Sequence, residues 1–183
     1  MQAVRPGDLL ISQVTLTDGI FDESVLLVLD ADHTGALAVI LNQMSHHSLG
    51  VLPGWEELVS EPKIMFSGGP VSPNGAICLA SISSEDEPPG WRRVFDNVGL
   101  LHLDTPIELV RGAFDDMRIF AGYAGWEPGQ LEREIAEDMW FVARGRYDDV
   151  FGASPEGLWR STLRRQPPEV AIYATWTEDS EWN

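Results

Sequence analysis

The sequence predicts an α+β fold built on a mixed β-sheet. Its apolar runs are of strand length, and helical patterns interrupt them at irregular intervals. A doubly wound parallel sheet would instead alternate strand and helix regularly. A chain of 183 residues suits one domain with a substantial core. Neither a fixed-period repeat nor a low-complexity linker divides the chain, so we expect a single domain.

The first half of the chain is predicted to consist mainly of strands. Asp8–Ser12 is a short apolar strand, and the apolar runs at residues 25–30 and 36–42 form a hairpin buried on both faces. One helix is predicted over residues 53–60, because its apolar residues recur at helical spacing. Further strands are predicted at residues 63–66, 76–82, 91–95 and 98–103.

Three further helices are predicted in the second half. Residues 105–112 begin with an N-cap threonine, a proline at the first helical position and a capping-box glutamate, which indicates a helix. A strand over residues 117–123 leads into a glycine-rich turn and a helix from about Pro128. Residues 139–144 form another strand, and a last helix over residues 154–166 ends before two prolines. Its buried face is predicted to comprise Leu158, Trp159, Thr162 and Leu163.

The charge of the chain disfavours several classes of partner. The 29 acidic residues outnumber the 12 basic residues, giving a formal net charge of -17. Nucleic-acid affinity depends largely on basic side chains that displace counterions, so DNA, RNA and anionic membranes are disfavoured partners. The single Cys78 fits a reducing compartment, and the first residues do not resemble a signal peptide. The sequence therefore predicts a soluble cytoplasmic protein without a membrane-spanning segment.

Standard catalytic and cofactor signatures are absent from the sequence. The four histidines do not follow zinc-ligand spacings, so neither a metal site nor a cofactor is predicted. Cys78 lies in an apolar run and is interpreted as a small core residue, although a base such as His102 could make it a nucleophile. Glu132 and Glu134 are interpreted as part of the solvated face of their predicted helix.

Two glycine-rich segments are the strongest candidates for a binding site. In Phe66-Ser-Gly-Gly-Pro-Val71, the consecutive glycines permit either an anion-binding backbone nest or a close crossing of strands. In residues 122–134, three glycines, a tyrosine and a tryptophan crowd one predicted strand-to-helix junction. Tyr123 and Trp126 either rim a pocket, with the Gln130 amide beside them, or pack the turn against the sheet.

Together the two segments resemble the signature blocks of the bacterial YqgE/AlgH family. The block Gly7-Asp-Leu-Leu-Ile11 and Trp140 add to the resemblance, which extends from about Gly7 to Trp159. It implies a single α+β domain with a barrel-like mixed, largely antiparallel sheet flanked by about four helices. We therefore assign residues 1–166 to a YqgE/AlgH-like domain and residues 167–183 to an acidic, partly extended C-terminal extension.

The resemblance implies no established enzyme activity. Members of the family are often labelled transcriptional regulators, but this sequence shows no helix-turn-helix, and its charge opposes direct DNA contact. Our first hypothesis is a non-catalytic protein that binds a ligand or a protein partner through the glycine-rich loops. The alternatives are an enzyme with an unrecognised site at those loops and, ranked last, a direct DNA-binding regulator. The candidate binding residues are Asn42, Phe66, Gly68, Gly69, Pro70, Tyr123, Gly125, Trp126 and Gln130.

Overall fold

The computed structural model describes residues 3–13 and 21–175. Nine strands and five helices form within these ranges. The strands are β1 (Asp8–Ser12), β2 (Val25–Asp32), β3 (Gly35–Ile40), β4 (Met65–Ser67), β5 (Val71–Ser81), β6 (Trp91–Phe95), β7 (Val98–Leu101), β8 (Met117–Trp126) and β9 (Trp140–Arg144). The helices are α1 (Ile107–Val110), α2 (Gln130–Ala136), α3 (Tyr147–Phe151), α4 (Leu158–Arg164) and α5 (Pro168–Ala171). Short 3-10 turns occupy Leu49–Val51, Pro155–Gly157 and Ile172–Thr175.

One mixed sheet contains the nine strands and curls into a half-barrel. Neighbouring strands follow the order β6-β7-β5-β8-β3-β2-β1-β9 and are antiparallel, while β4 joins β8 in parallel. The predicted α+β class and the largely antiparallel sheet are confirmed. Five short helices accompany the sheet, where the sequence predicts about four.

The curvature of the sheet is evident from its apolar cores. One cluster joins Leu9 of β1, Phe120 of β8 and Phe95 of the edge strand β6, and includes residues of α3 and α4. Residues from opposite ends of the strand order share this cluster because the sheet curls around it. Two further clusters lie on the convex face, one beneath residues 49–59 and α1, the other beneath α2. The second of these convex clusters supports the candidate site.

Strand β8 organises this arrangement, because it pairs with β5, β4 and β3. The sequence predicts that this strand ends at Tyr123, before Gly125 and Gly129. It continues to Trp126 instead, since Ala36 of β3 pairs with Trp126 and the intervening residues keep the same register. Gly122 adopts a φ of +74° inside the strand, a conformation that glycine accepts without strain. The glycine-rich turn therefore begins only after Trp126.

The helix predicted over residues 53–60 is not formed. A 3-10 turn at Leu49–Val51 and a series of turns take its place. Gly54 has a φ of +88°, which a right-handed helix does not accommodate. Trp55 and Val59 are nevertheless buried in a convex-face cluster. The spacing of these residues correctly predicts that they are buried. The helix predicted from the same spacing is wrong.

Helices α3 and α5 are not predicted from the sequence pattern. Asp149 in α3 accepts a hydrogen bond from the backbone N–H of Arg146 at 2.8 Å and pairs with Arg165 at 2.9 Å. After Pro167 the chain is helical as far as Thr175, where an extended segment was predicted. This segment lies against the domain, because the rings of Tyr173 and Phe141 pack with centroids 5.8 Å apart. The remaining predicted part of the extension, residues 176–183, lies outside the described residues.

Candidate functional site

The consecutive glycines permit two strands to cross at close range. The Gly68 N–H donates to the carbonyl of Ala121 at 2.7 Å, so it is engaged within the fold. A Cβ atom on Gly68 would lie 2.3 Å from the Gly122 carbonyl oxygen. A Cβ atom on Gly69, whose φ is +152°, would lie 2.2 Å from the Tyr123 carbonyl carbon. This geometry favours the close-crossing interpretation of these glycines over an anion-binding nest.

Three of the candidate residues lie away from any shared groove. The Asn42 side chain accepts from the Val25 N–H at 3.0 Å and donates to the Glu23 carbonyl at 2.9 Å, which holds two chain segments together. Phe66 is fully buried in the concave core, and Tyr123 packs against the same core. The side chains of these three predicted site residues make contacts within the fold.

Four of the candidate residues do converge. Pro70, Gly125, Trp126 and Gln130 line one groove of about 420 Å³ on the convex face, between β8, α2 and β9. We call it the tryptophan groove. Its full lining is Phe21, Pro70, Val71, Ala124, Gly125, Trp126, Gln130, Glu134, Met139 and Trp140.

The polar centre of the tryptophan groove is the carboxylate of Glu134. Its Oε1 accepts hydrogen bonds from Nε1 of Trp126 at 3.2 Å and Nε1 of Trp140 at 3.0 Å. Its Oε2 accepts from Nε2 of Gln130 at 3.0 Å. The Oε1 of Gln130 in turn accepts the backbone N–H of Glu127 at 3.0 Å, which fixes the amide at the start of α2. Four side chains from β8, α2 and β9 thereby form one network.

Glu134 lines the groove but is not among the candidate residues predicted from the sequence. The sequence pattern predicts a solvated helix face for this carboxylate, but the side chain is only partly exposed and accepts three hydrogen bonds. A signal was present, because Gln130 and Glu134 are four residues apart on a predicted helix and therefore share a face. The contribution of Trp140 from β9 depends on tertiary contacts that spacing does not reveal.

Three aromatic rings surround this network. Trp126 and Trp140 meet edge to face, with centroids 6.2 Å apart and an interplanar angle of 81°. Phe21 meets Trp140 in the same way at 5.6 Å and 76°. Trp126 and Trp140 are 7% and 3% exposed, so their positions are fixed by packing. The groove is thus lined by preordered rings around one carboxylate.

The negative charge of Glu134 has no cationic partner among the described residues, since no Lys, Arg or His nitrogen lies within 4.0 Å of it. A cleft on the other side of Trp140 provides a contrast. There Asp8 pairs with Arg144 at 3.2 Å and with Arg5 at 3.9 Å. In that cleft the negative charge of Asp8 is balanced by Arg5 and Arg144. No described cationic side chain balances the negative charge of Glu134 in the same way.

Cys78 and His102 do not form a catalytic pair. Cys78 is 1% exposed and lies within a convex-face cluster, and burial raises the pKa of its thiol. Cys78 and His102 both line one pocket of about 370 Å³, but the Cys78 thiol donates to the Leu79 carbonyl at 3.9 Å. The His102 side chain is exposed and lies 4.0 Å from Asp104. The core interpretation of Cys78 is therefore favoured by the structure.

A second polar cluster joins the start of β8 to α3. Asp116 accepts hydrogen bonds from the hydroxyl of Ser60 at 2.7 Å and from the hydroxyl of Tyr147. The Tyr147 hydroxyl also lies 2.9 Å from the Ser81 hydroxyl. Burial, followed by the hydrogen bond to Asp116, raises the pKa of Tyr147 to about 12. These groups satisfy one another, so the cluster connects elements of the fold.

Arg118, beside this cluster, is 1% exposed. Its guanidinium donates to the carbonyls of Val150 at 2.6 Å, Glu61 at 2.8 Å and Gly152 at 3.1 Å. It also lies 4.8 Å from the centroid of the Phe66 ring. Arg118 therefore joins β8 to the end of α3 and to the segment before β4.

The described residues contain no cluster of three or more His, Cys, Asp or Glu side chains arranged to hold a metal ion. Within the same ranges, none of the helices combines the length and the apolar character needed to cross a bilayer.

Comparison with known proteins relates the chain to one family along nearly its whole length. A family model described as AlgH-like matches residues 9–171. The UPF0301 protein of Streptomyces avermitilis is 45% identical, over 97% of this chain and 94% of the relative. The UPF0301 protein of Thermobifida fusca is 42% identical over the same shares, and that of Rhodococcus opacus is 38% identical over 98% and 92%.

Two solved structures share the fold. A crystal structure of a Corynebacterium diphtheriae protein superposes with a TM-score of 0.89 at 26% identity, covering 96% of this chain and 94% of that one. The solution structure of the AlgH protein from Pseudomonas aeruginosa has a TM-score of 0.69 at 20% identity, covering 98% of this chain and 100% of that one. The second likeness concerns the fold alone.

Proposed function

This chain belongs to the AlgH-like family, and on that premise we propose that it is a non-catalytic binding protein whose tryptophan groove holds a small ligand. Family membership accounts for the fold and assigns neither a reaction nor a ligand. A cytoplasmic location is part of the proposal, because the single cysteine is a buried free thiol.

The observation that carries the proposal is the convergence of polar groups inside an apolar groove. Small-molecule sites are typically concave and largely apolar, with a few polar groups in fixed positions. Here the carboxylate of Glu134 is held in place by hydrogen bonds from Trp126, Trp140 and Gln130. A site that is already ordered loses little conformational freedom when a ligand binds.

The same residues support binding over catalysis. Glu134 is the one titratable group among the described residues that line the groove. General acid–base chemistry on the pattern of paired carboxylates requires two groups with separated pKa values. Cys78, the nucleophile considered from sequence, lies in a different cluster and is buried. The net charge of -17 also disfavours nucleic acid as the bound partner.

A thermal-shift screen against metabolites and nucleotides tests the proposal. A ligand that binds only the folded state at about 100 times its Kd adds about 2.7 kcal/mol to the free energy of unfolding. Each hit is then measured with the groove variant Gln130→Ala and with Gln166→Ala. Gln166 is a matched control, because its amide also donates to a group four residues away in the sequence, here the Thr162 carbonyl, which lies outside the groove.

The proposal expects a saturable hit that Gln130→Ala abolishes and Gln166→Ala retains, both variants being folded by circular dichroism. A hit that binds both variants equally would place the ligand elsewhere and overturn the proposal. A screen without any hit would also count against a small ligand and would favour a protein partner.

A further inference from the structure

We infer that the ligand of the tryptophan groove carries a positively charged ammonium group, an inference that rests on the proposed function. The Glu134 carboxylate has no cationic partner among residues 3–13 and 21–175, and it lies beside the rings of Phe21, Trp126 and Trp140.

The Glu134 carboxylate has more hydrogen-bond acceptor positions than its three donors use. An ionised carboxylate offers about four acceptor positions, two on each oxygen. Oε1 uses two positions on the indoles of Trp126 and Trp140, and Oε2 uses one on Gln130. No hydrogen bond from the described residues occupies the second position on Oε2, so this position can accept a further donor.

The groups that donate hydrogen bonds to Glu134 carry no positive charge. The three donors to Glu134 are uncharged N–H groups, so they orient the carboxylate without neutralising it. An ammonium group supplies both a donor and the missing positive charge, and charge-assisted hydrogen bonds are about twice as strong as neutral ones. An anionic ligand would meet the Glu134 charge directly and, beyond it, an acidic protein surface.

Aromatic side chains form part of the lining of the tryptophan groove. The N–H edges of Trp126 and Trp140 are engaged by Glu134, and the residues are 7% and 3% exposed, so a ligand contacts only the parts of these rings that line the groove. Cations are attracted to the face of an aromatic ring within about 6 Å, and tryptophan is the strongest of these rings. Pro70, Val71 and Met139 add apolar surface along the same groove. The ligand that fits is therefore an ammonium group attached to a small apolar body.

The alternative is that Glu134 only joins α2 to β8 and β9 and that the groove holds nothing charged. Three probes of similar size distinguish these cases: phenethylammonium, uncharged 2-phenylethanol and anionic phenylacetate. The readout is the indole N–H resonances in ¹H–¹⁵N NMR spectra of the intact protein. The chain has seven tryptophans, so Trp126 and Trp140 are assigned by single substitution to phenylalanine.

The inference predicts that phenethylammonium shifts both groove resonances and binds at least ten times more tightly than 2-phenylethanol, while phenylacetate has no effect. Glu134→Gln should reduce the affinity for phenethylammonium to that for the alcohol. Glu132→Gln is the matched control, because it removes the same charge from an exposed position on the same helix. It should leave the affinity within about twofold of the wild type.

Equal or tighter binding of the alcohol or the acid would overturn the inference and retain the proposed function. A neutral or anionic hit from the thermal-shift screen that shifts the same two resonances would have the same meaning. If no probe and no screened compound shifts them, both proposals fail. The wild-type probe series decides between these outcomes even if Glu134→Gln does not fold.

Discussion

The Nε1 of Trp140 lies 3.0 Å from the Oε1 of Glu134. This hydrogen bond joins strand β9 to helix α2, which precedes it in the chain. It places an acidic side chain against a buried indole. The same oxygen accepts a second indole N–H from β8. The site therefore forms only when three elements of the fold are in place.

Removing the Glu134 carboxylate should destabilise the protein. In Glu134→Ala the indole N–H groups of Trp126 and Trp140 lose their acceptor, and each largely buried unsatisfied donor costs about 1–3 kcal/mol. We expect the free energy of unfolding to fall by about 2–4 kcal/mol in urea titrations. Glu132→Ala, at an exposed position of α2, should change it by no more than about 0.5 kcal/mol. Equal effects of the two substitutions would contradict the network.

The close crossing at Gly69 should tolerate no side chain. Gly69→Ala would place a Cβ atom 2.2 Å from the Tyr123 carbonyl carbon at a φ of +152°. We expect a loss of at least about 3 kcal/mol in the free energy of unfolding, since the overlap is with backbone. Gly157→Ala is the control, because nothing lies within 4 Å of its Cβ position. A folded, equally stable Gly69→Ala protein would disprove the crossing.

Replacing Arg118 with another side chain of similar length should lower the free energy of unfolding. In Arg118→Met the carbonyls of Val150, Glu61 and Gly152 lose their common donor. We expect about 3–5 kcal/mol of destabilisation in urea, since a buried group bonded to several partners is removed. Arg118→Lys should restore little of this, because one ammonium group does not span the fork of a guanidinium. Arg92→Met, at an exposed position, serves as the control.

Stability should decline in the alkaline range. The folded-state pKa of Tyr147 is raised to about 12 by burial and by its hydrogen bond to Asp116, whereas an unfolded tyrosine titrates near 10. The folded state thus holds this proton more tightly, and the resulting stability is complete below about pH 10 and lost between about pH 10 and 12. Urea titrations across this range should show a smaller decline for Tyr147→Phe than for the wild type. Parallel declines would contradict the assignment.

Cys78 should be inert in the folded protein. Its thiol is buried, and burial raises its pKa, so little thiolate forms near neutral pH. Iodoacetamide at pH 7.5 should label it only after unfolding in guanidinium, when the single cysteine reacts stoichiometrically. Rapid stoichiometric labelling of the native protein would revive the hypothesis of a cysteine nucleophile.

The local sequence pattern predicts many of the strands in the fold. The bounds of Asp8–Ser12 and Trp91–Phe95 agree with the predicted strands, because Gly7 precedes the first strand and Gly90 and Asn97 lie on either side of the second. Residues 53–60 show the limit of this approach. Their apolar spacing reflects burial against the sheet, but the positive φ of Gly54 prevents a helix. Spacing reports which residues are buried more directly than it reports the backbone conformation that buries them.

The site was only partly predictable for a related reason. Trp126 and Gln130 were identified because they lie in a distinctive segment of the chain. Trp140 enters the groove through the pairing of β9 with β1, and Phe21 through a loop contact, so both depend on topology. Glu134 was assigned to solvent because a helical carboxylate usually is solvated. Its role became evident only from the two indoles that donate to it.

A crystal structure of the protein with the tightest ligand from the screen tests the central claim most directly. The account predicts that the ligand lies in the tryptophan groove against Trp126 and Trp140, with its ammonium nitrogen within hydrogen-bonding distance of Glu134 Oε2. A ligand bound in the neighbouring cleft beside Arg5 and Arg144, or one that presents an uncharged group to Glu134, would contradict it.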